Sequence, residues 1–291
     1  VMQYIILGKT GLKVSAVGFG GIPIQRIDER GTRALMERLV EKGVNYIDTA
    51  RGYTVSESYL GEALSGGLRE KFILATKSMS RGYADMARDI GISLSNLRTD
   101  YIDLYQLHNI KSDADFELAF SAEGAVAAIQ DAIRAGKVGH LGATAHSVDS
   151  FERLLSYPEI ETIMFPYNIV ESQGEALMER AAAQNVGVIA MKPLAGGNIT
   201  DGTLAMRYIL QNKTCTLAIP GMATLEEIEQ NTAAAEQDGP LTPEELAACE
   251  AIRAGLSGNF CRRCGYCAPC TVGIDIPGIF TLENYLKHYD L

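Results

Sequence analysis

Phe72-Ile73-Leu74-Ala75-Thr76, the amphipathic stretch 85–97, and Tyr101-Ile102-Asp103-Leu104-Tyr105-Gln106-Leu107 form the unit that decides the fold. Two short apolar runs of strand length flank a segment with helical spacing of its apolar residues, which is the pattern of a parallel βαβ step. The same alternation runs through most of the chain. Strands are predicted at 14–19, 46–48, 72–76, 101–107, 139–143, 162–165, 187–191 and 215–219. Helices are predicted at 32–41, 56–64, 85–97, 124–135, 147–155, 173–184, 204–211 and 225–235. Eight strand–helix pairs in strict order predict an α/β fold of the closed (β/α)₈ TIM-barrel type. An open doubly wound sheet is the rival, but it has fewer such units and a GxGxxG turn after its first strand. Here only Gly20-Gly21-Ile22-Pro23 follows. Residues 2–13, with the turn Gly8-Lys9-Thr10-Gly11, read as a hairpin capping the barrel floor.

Beyond Ala235 the texture changes. Thr242-Pro243-Glu244-Glu245 carries an N-cap, a proline at the first helical position and a glutamate at the third, so a helix is expected to run to about Ala254. A last amphipathic piece is expected at 278–287. The division is therefore a barrel over 1–238 and a tail over 239–291 packed on it, without a second core. The 291 residues carry 36 acidic and 26 basic side chains, a net charge of −10, which argues against a nucleic-acid surface. No apolar run approaches a membrane span and no signal-peptide pattern opens the chain, so a cytoplasmic protein is expected.

Four of the six cysteines lie in Cys261-Arg262-Arg263-Cys264-Gly265-Tyr266-Cys267-Ala268-Pro269-Cys270. Disulfides within so short a run would need distorted backbone and would staple very little. Zinc ribbons separate their two CxxC pairs by a dozen or more residues, whereas only Gly265 and Tyr266 intervene here. The spacing is nearer to that of a bacterial ferredoxin and predicts a [4Fe–4S] cluster on Cys261, Cys264, Cys267 and Cys270, with zinc or a reduced unligated tail as alternatives. Cys249 is a candidate remote ligand. It and Cys215 otherwise read as small packed hydrophobes.

If the barrel forms, four polar residues gather at its C-terminal rim, where barrel enzymes hold their chemistry. Asp48, Lys77 and His108 close successive strands, and Tyr53 lies in the loop after Asp48. A free phenol has a pKa of about 10, too high for an efficient acid at neutral pH. An adjacent ammonium lowers it, an aspartate keeps that ammonium charged and placed, and a neutral imidazole can orient a carbonyl oxygen. Each residue also has a plain structural reading: Asp48 as a helix cap, Lys77 as a solvated strand end, Tyr53 as a loop aromatic, His108 as a rim hydrogen-bonder. Their joint order favours proton transfer. His140 reads as structural, His146 as undecided, Arg262 and Arg263 as solvated, and His288 as a tail residue without a role.

The segments Gly8-Lys9-Thr10-Gly11-Leu12-Lys13-Val14-Ser15, Gly43-Val44-Asn45-Tyr46-Ile47-Asp48-Thr49-Ala50, Tyr53 with Ser56-Glu57, Ala75-Thr76-Lys77, and Asp103-Leu104-Tyr105-Gln106-Leu107-His108 resemble the aldo-keto reductases. The likeness spans residues 4 to about 235. It implies a (β/α)₈ barrel, NADPH or less often NADH, a small carbonyl substrate, and the family's catalytic roles for Asp48, Tyr53, Lys77 and His108. It also implies dinucleotide contacts at Gly21, Thr144, Asn168, Lys192, Leu194, Gly196, Gly197, Gly221, Thr224 and Asn231. The cysteine run resembles a subgroup with an appended ferredoxin-type [4Fe–4S] motif, although Thr271 stands where that subgroup has proline.

Departures from the family pattern fall in the cofactor half. Thr144-Ala145 replaces Ser-Asn, Met164 replaces Gln, and Met191 replaces the aromatic that stacks on nicotinamide. The positions that grip a 2′-phosphate align with Gly221 and Glu227, and a carboxylate repels a phosphate. Strong NADPH preference is therefore not expected, and the helix N-terminus near Thr224 offers only a modest anion site. The expected activity is NAD(P)H-dependent carbonyl reduction with Tyr53 as general acid. The alternative is an iron–sulfur electron-transfer or docking protein, with a ferredoxin-like partner, on a barrel of little reductase activity.

Overall fold

The computed structural model describes residues 1–237, 239–258, 260–262, 267 and 270–288, with only the backbone at Tyr285 and His288. The chain opens as an antiparallel hairpin in which β1 (Tyr4–Ile6) pairs with β2 (Lys13–Ser15), Ile5 opposite Val14. One 3-10 turn, Gly8–Thr10, reverses the chain and ends at Gly11, whose φ of 71° is a backbone state that glycine adopts without steric penalty. The Lys9 N–H donates to the Asn185 carbonyl at 2.7 Å and its ammonium to the Pro158 carbonyl at 2.7 Å. Leu7 and Val14 join Tyr46, Ala75, Leu104, Met164, Ile189 and Leu217 in one buried cluster. The hairpin is thus a floor sealed by apolar side chains that rise into the barrel.

The eight barrel strands are β3 (Phe19–Gly20), β4 (Tyr46–Asp48), β5 (Ile73–Ser78), β6 (Ile102–Leu107), β7 (Val138–Thr144), β8 (Thr162–Pro166), β9 (Gly187–Met191) and β10 (Leu217–Ala218). Neighbours in sequence are neighbours in the sheet, and every pairing is parallel. Parallel bridges Val17–Ala218 and Gly20–Gly221 join the first strand to the last, with Gly18 N–H on the Ala218 carbonyl at 2.8 Å. The outer ring is α1 (Glu29–Glu41), α2 (Ser56–Ala63), α3 (Tyr83–Asn96), α4 (Asp113–Ala119), α5 (Ala125–Arg134), α6 (Val148–Leu154), α7 (Glu175–Ala183), α8 (Gly202–Gln211) and α9 (Leu225–Ala233). Because side chains alternate along a strand, Ala75 and Leu104 fill the barrel while Leu74 and Tyr105 pack under the helices.

Three sequence expectations are corrected. The predicted strand 14–19 is two pieces, because Val14 and Ser15 pair within the hairpin and only Phe19 and Gly20 form a ladder with β4. Lys77 does not close its strand but lies within β5. The short helix α4 was not expected, although Ser112 and Asp115 form a capping box at its start that the spacing Ser-x-x-Asp announces.

After the barrel, α10 (Pro243–Leu256) begins as expected, with Thr242 and Glu245 capping each other. It runs two residues past the anticipated end. Arg207 binds Glu245 through two parallel bonds of 2.6 and 2.9 Å, the geometry that suits a guanidinium best. Cys249 is buried with Ile169, Val170, Ala195, Ile199 and Phe260, so this helix lies across the loops that follow β8 and β9. The last element is α11 (Ile276–His288). Among the described residues no helix is long and apolar enough to cross a membrane.

Candidate active site

Three consecutive strands carry the polar residues of the barrel mouth, and their spacing sets which way each side chain faces. In β5, Lys77 lies two positions beyond the inward Ala75. In β6, Gln106 lies two beyond the inward Leu104. Asp48, Lys77 and Gln106 therefore form a polar layer above the apolar fill. All three are buried. The Lys77 ammonium pairs with Asp48 Oδ2 and donates to the Thr49 carbonyl at 2.8 Å. Gln106 Nε2 donates to the other Asp48 oxygen at 3.0 Å. Burial opposes the Lys77 charge, but the Asp48 carboxylate and Tyr53 outweigh it and hold the ammonium above the usual lysine range. Burial raises the Asp48 carboxyl, against the pull of Lys77 and Gln106.

The Tyr53 ring lies with its centroid 4.7 Å from the Lys77 nitrogen and meets the His108 ring edge-on, 5.9 Å between centroids at 88°. His108 follows β6 directly and is anchored by its N–H on the Ser78 carbonyl at 2.9 Å. Burial, with the charges of Lys77 and Arg81, pushes its imidazolium pKa down to about 3, so the ring is neutral at physiological pH. Its Nδ1 is buried without a hydrogen-bond partner among the described residues. All four residues expected from sequence thus meet in one place. The arrangement can deliver a proton from the phenol while an ammonium faces the same ring.

Two contributors were missed. Gln106 was legible in principle, because it lies two residues before His108 and so shares its face. Arg81 was not. Its guanidinium donates to the carbonyls of His108 and Asn109 at 2.8 and 3.1 Å and faces Asp115 at 3.5 Å. That contact holds a turn in which Asn109 takes a φ of 52°.

Most of the residues expected to touch a dinucleotide lie at or beyond the ends of β3 and β7 to β10, with Asn231 inside α9, and several are committed within the chain. The Thr144 hydroxyl accepts the Asn109 N–H at 2.7 Å. Asn168 donates to Glu171 and to the Lys192 carbonyl, both at 2.9 Å, while its oxygen accepts two backbone N–H groups. His146 binds Asn109 at 3.0 Å. The Gly196-Gly197 loop is left-handed at Lys192, Ala195, Gly196 and Gly197, and Asn284 of α11 donates to the Gly196 carbonyl at 2.9 Å. Gly20, Gly21 and Gly221 pack closely on the chain, since a Cβ on Gly21 would lie 2.8 Å from the Asp48 carbonyl and one on Gly221 2.7 Å from Pro23. Asn231 is buried with its Oδ1 unpartnered among the described residues. The modest anion site expected near Thr224 has a carboxylate beside it. Glu227 folds back so that its carboxylate accepts the Ala223 and Thr224 N–H groups at 2.6 and 3.1 Å.

At the tail, Cys261, Cys267 and Cys270 are half-buried and unbridged, and Cys264 lies outside the described residues. Among the described residues no three His, Cys, Asp or Glu side chains form a metal-holding group. Backbone N–H groups of Val272 and Ile274 hold the Cys270 thiol below its usual pKa. Arg262 is exposed, as expected, and also donates to the Val170 carbonyl at 3.0 Å. Arg263 and the His288 side chain lie outside the described residues. His140 pairs with Glu161 at 2.8 Å, a structural role as expected.

Residues 16–203 match the aldo/keto reductase family. L-galactose dehydrogenase of Arabidopsis thaliana is 28% identical, over 84% of this chain and 92% of its own length. Aldo-keto reductase YhdN of Bacillus subtilis is 27% identical, over 72% of this chain and 67% of its own. The holo form of an aldo-keto reductase from Bacillus halodurans superimposes with a TM-score of 0.76 at 26% identity, over 87% of this chain and 96% of that one. With the barrel, the rim cluster and these likenesses together, the chain belongs to the aldo/keto reductase family and is an NAD(P)H-dependent oxidoreductase.

Proposed function

We propose that this oxidoreductase reduces an aldehyde or ketone, with Tyr53 as general acid. The observation that carries the reading is the Asp48–Lys77 pair set against the Tyr53 ring, with neutral His108 at its edge. A reduced nicotinamide, when bound, supplies the hydride. Gly20, Gly21 and Gly221 pack so closely on the chain's own atoms that a Cβ would strike them, and the buried Asn231 side-chain oxygen has no partner among the described residues, which would suit a contact to a dinucleotide. His108 would orient the carbonyl oxygen toward Tyr53. Lys77 would stabilise the phenolate left when Tyr53 gives up its proton, and Asp48 would keep Lys77 charged. Ile22, Val55 and Met79, exposed in three rim loops, would favour a substrate with an apolar face. Replacing Tyr53 by Phe should lower kcat by about 10²–10⁴ in a carbonyl panel, the usual worth of a general acid. An unchanged rate would remove Tyr53 from the reaction.

NADH is the proposed reductant, because Glu227 stands where a 2′-phosphate would need a cation. The four-cysteine run remains a proposed [4Fe–4S] site on its spacing alone, and no step of the reaction passes through it. Its proposed role is to gate or brace the tail, whose Phe260, Arg262 and Asn284 hold the loops after β8 and β9. A second reading, an electron-transfer protein serving a ferredoxin-like partner in the cytoplasm, draws on the internal commitment of Thr144 and Asn168. Anaerobic titration separates the two. Dinucleotide oxidation with carbonyl substrates supports the reductase, and a reducible cluster without carbonyl turnover supports the carrier.

A further inference from the structure

Behind the polar layer, on the outer face of β5, lies a second charged cluster that the reaction does not touch. Thr76 and Ser78 flank Lys77 and therefore point away from the barrel, toward α2 and α3. Glu57 of α2 is buried there. It accepts from Thr76 at 2.8 Å, Ser93 at 2.7 Å, Arg51 at 2.9 Å and Asn96 at 3.2 Å. Asp89 of α3 accepts from the hydroxyls of Ser78 and Ser80 and faces Arg51 Nε at 3.8 Å. Arg51 lies two residues before Tyr53, and its backbone N–H donates to the Lys77 carbonyl at 2.9 Å. One residue thus holds the loop of the phenol to the strand of the lysine, while its side chain is fixed by two carboxylates that also hold the residues on either side of that lysine.

We infer that Arg51, Glu57 and Asp89 act as a clamp that sets the position of the Tyr53 phenol relative to the Lys77 ammonium. All three are positioning residues and none faces the barrel mouth. The inference rests on the proposed role of Tyr53. Stability is a poor explanation for the cluster, since well-packed apolar residues commonly match or exceed a buried ion pair. Fixing geometry is a better one. Glu57 has four donors arriving from three elements, so its carboxylate is satisfied only when the Tyr53 loop, β5 and α3 are in register. Proton transfer also depends steeply on such register, since a displacement of about 1 Å can cost roughly 10²-fold in rate.

The test replaces Glu57 by Gln, which keeps the size and removes the charge that holds Arg51. Two readouts are taken: kcat and KM with a carbonyl substrate, and the phenol titration of Tyr53 by ¹³C NMR of tyrosine-labelled protein, assigned through Tyr53→Phe. The clamp predicts kcat lower by about tenfold to hundredfold, dinucleotide KM within twofold, and a Tyr53 midpoint displaced toward that of a free phenol. Arg51→Met should behave alike and Arg51→Lys should recover part of the rate. Ser93→Ala, which removes one donor without touching Arg51, should leave both readouts near wild type. A folded Glu57→Gln protein with wild-type kcat and an unmoved Tyr53 titration would overturn the clamp. If Glu57→Gln does not fold, Asp89→Asn decides by the same two readouts. The titration needs no substrate, so a wild-type protein inactive on carbonyls would sink the proposed function while the clamp is still judged.

Discussion

The two halves of the barrel mouth are built from different materials. Above β4 to β6 the site is made of side chains: a buried Asp48–Lys77 pair, Gln106 on the same carboxylate, and the rings of Tyr53 and His108. Above β3 and β7 to β10 it is made of backbone. Gly20, Gly21 and Gly221 pack closely on the chain's own atoms, the loop at Gly196-Gly197 is left-handed, and the polar side chains Thr144, Asn168 and Glu227 are spent on backbone groups within the chain. The contrast teaches where single substitutions should hurt. A buried ionic layer fails when one member is lost, whereas backbone groups survive most side-chain changes.

The largest effect should follow from breaking the ionic half. Lys77→Met leaves the Asp48 carboxylate buried without its cation, at a cost of about 3–5 kcal/mol in denaturant unfolding. It also removes the charge that favours the phenolate, so kcat should fall by about 10²–10⁴. Met191→Leu in the other half should stay within a few-fold in kcat. Equal losses from the two would dissolve the contrast.

His108 supplies a pH test of intermediate size. The unfolded chain takes up its proton near pH 6.5, but the folded chain holds it off until about pH 3. Between those values the unfolded state binds more protons, so stability falls as pH falls. Unfolding in urea at pH 7 and pH 4.5 should show wild type losing up to about 2.5 kcal/mol more than His108→Gln, at 1.36 kcal/mol per unit. Parallel pH curves would place the histidine in water rather than in the charged layer. The smallest effect is expected from Glu227→Gln, which keeps the capping box and removes only the negative charge. It should improve NADPH use relative to NADH by a few-fold, and no change would show that the carboxylate is remote from the 2′ position.

Much of this is legible in the sequence. Alternating apolar runs and amphipathic stretches predict eight parallel strands, and strand ends predict which residues share the rim. The strand at 14–19 misled because a run of apolar residues and glycines does not say which partner its hydrogen bonds will find. Val14 and Ser15 found the hairpin. Asn168 and Thr144 align with cofactor contacts by motif, but a motif does not show that an amide is already holding Glu171 and Lys192, or that a hydroxyl is holding Asn109. Arg51 and Arg81 carried no signal at all, since a charged loop residue looks the same whether it is solvated or clamped.

By itself, the sequence determined the barrel class, the hairpin floor, the capped tail helix and the identity of the four rim residues, because periodicity, caps and strand ends are local properties. Only the tertiary structure decided what those residues meet. The Asp48–Lys77 pair, the depressed His108 and the anchoring of Arg51 by Glu57 and Asp89 each arise where distant segments converge. Burial and charge pairing are sums over such neighbours, and no stretch of sequence contains them.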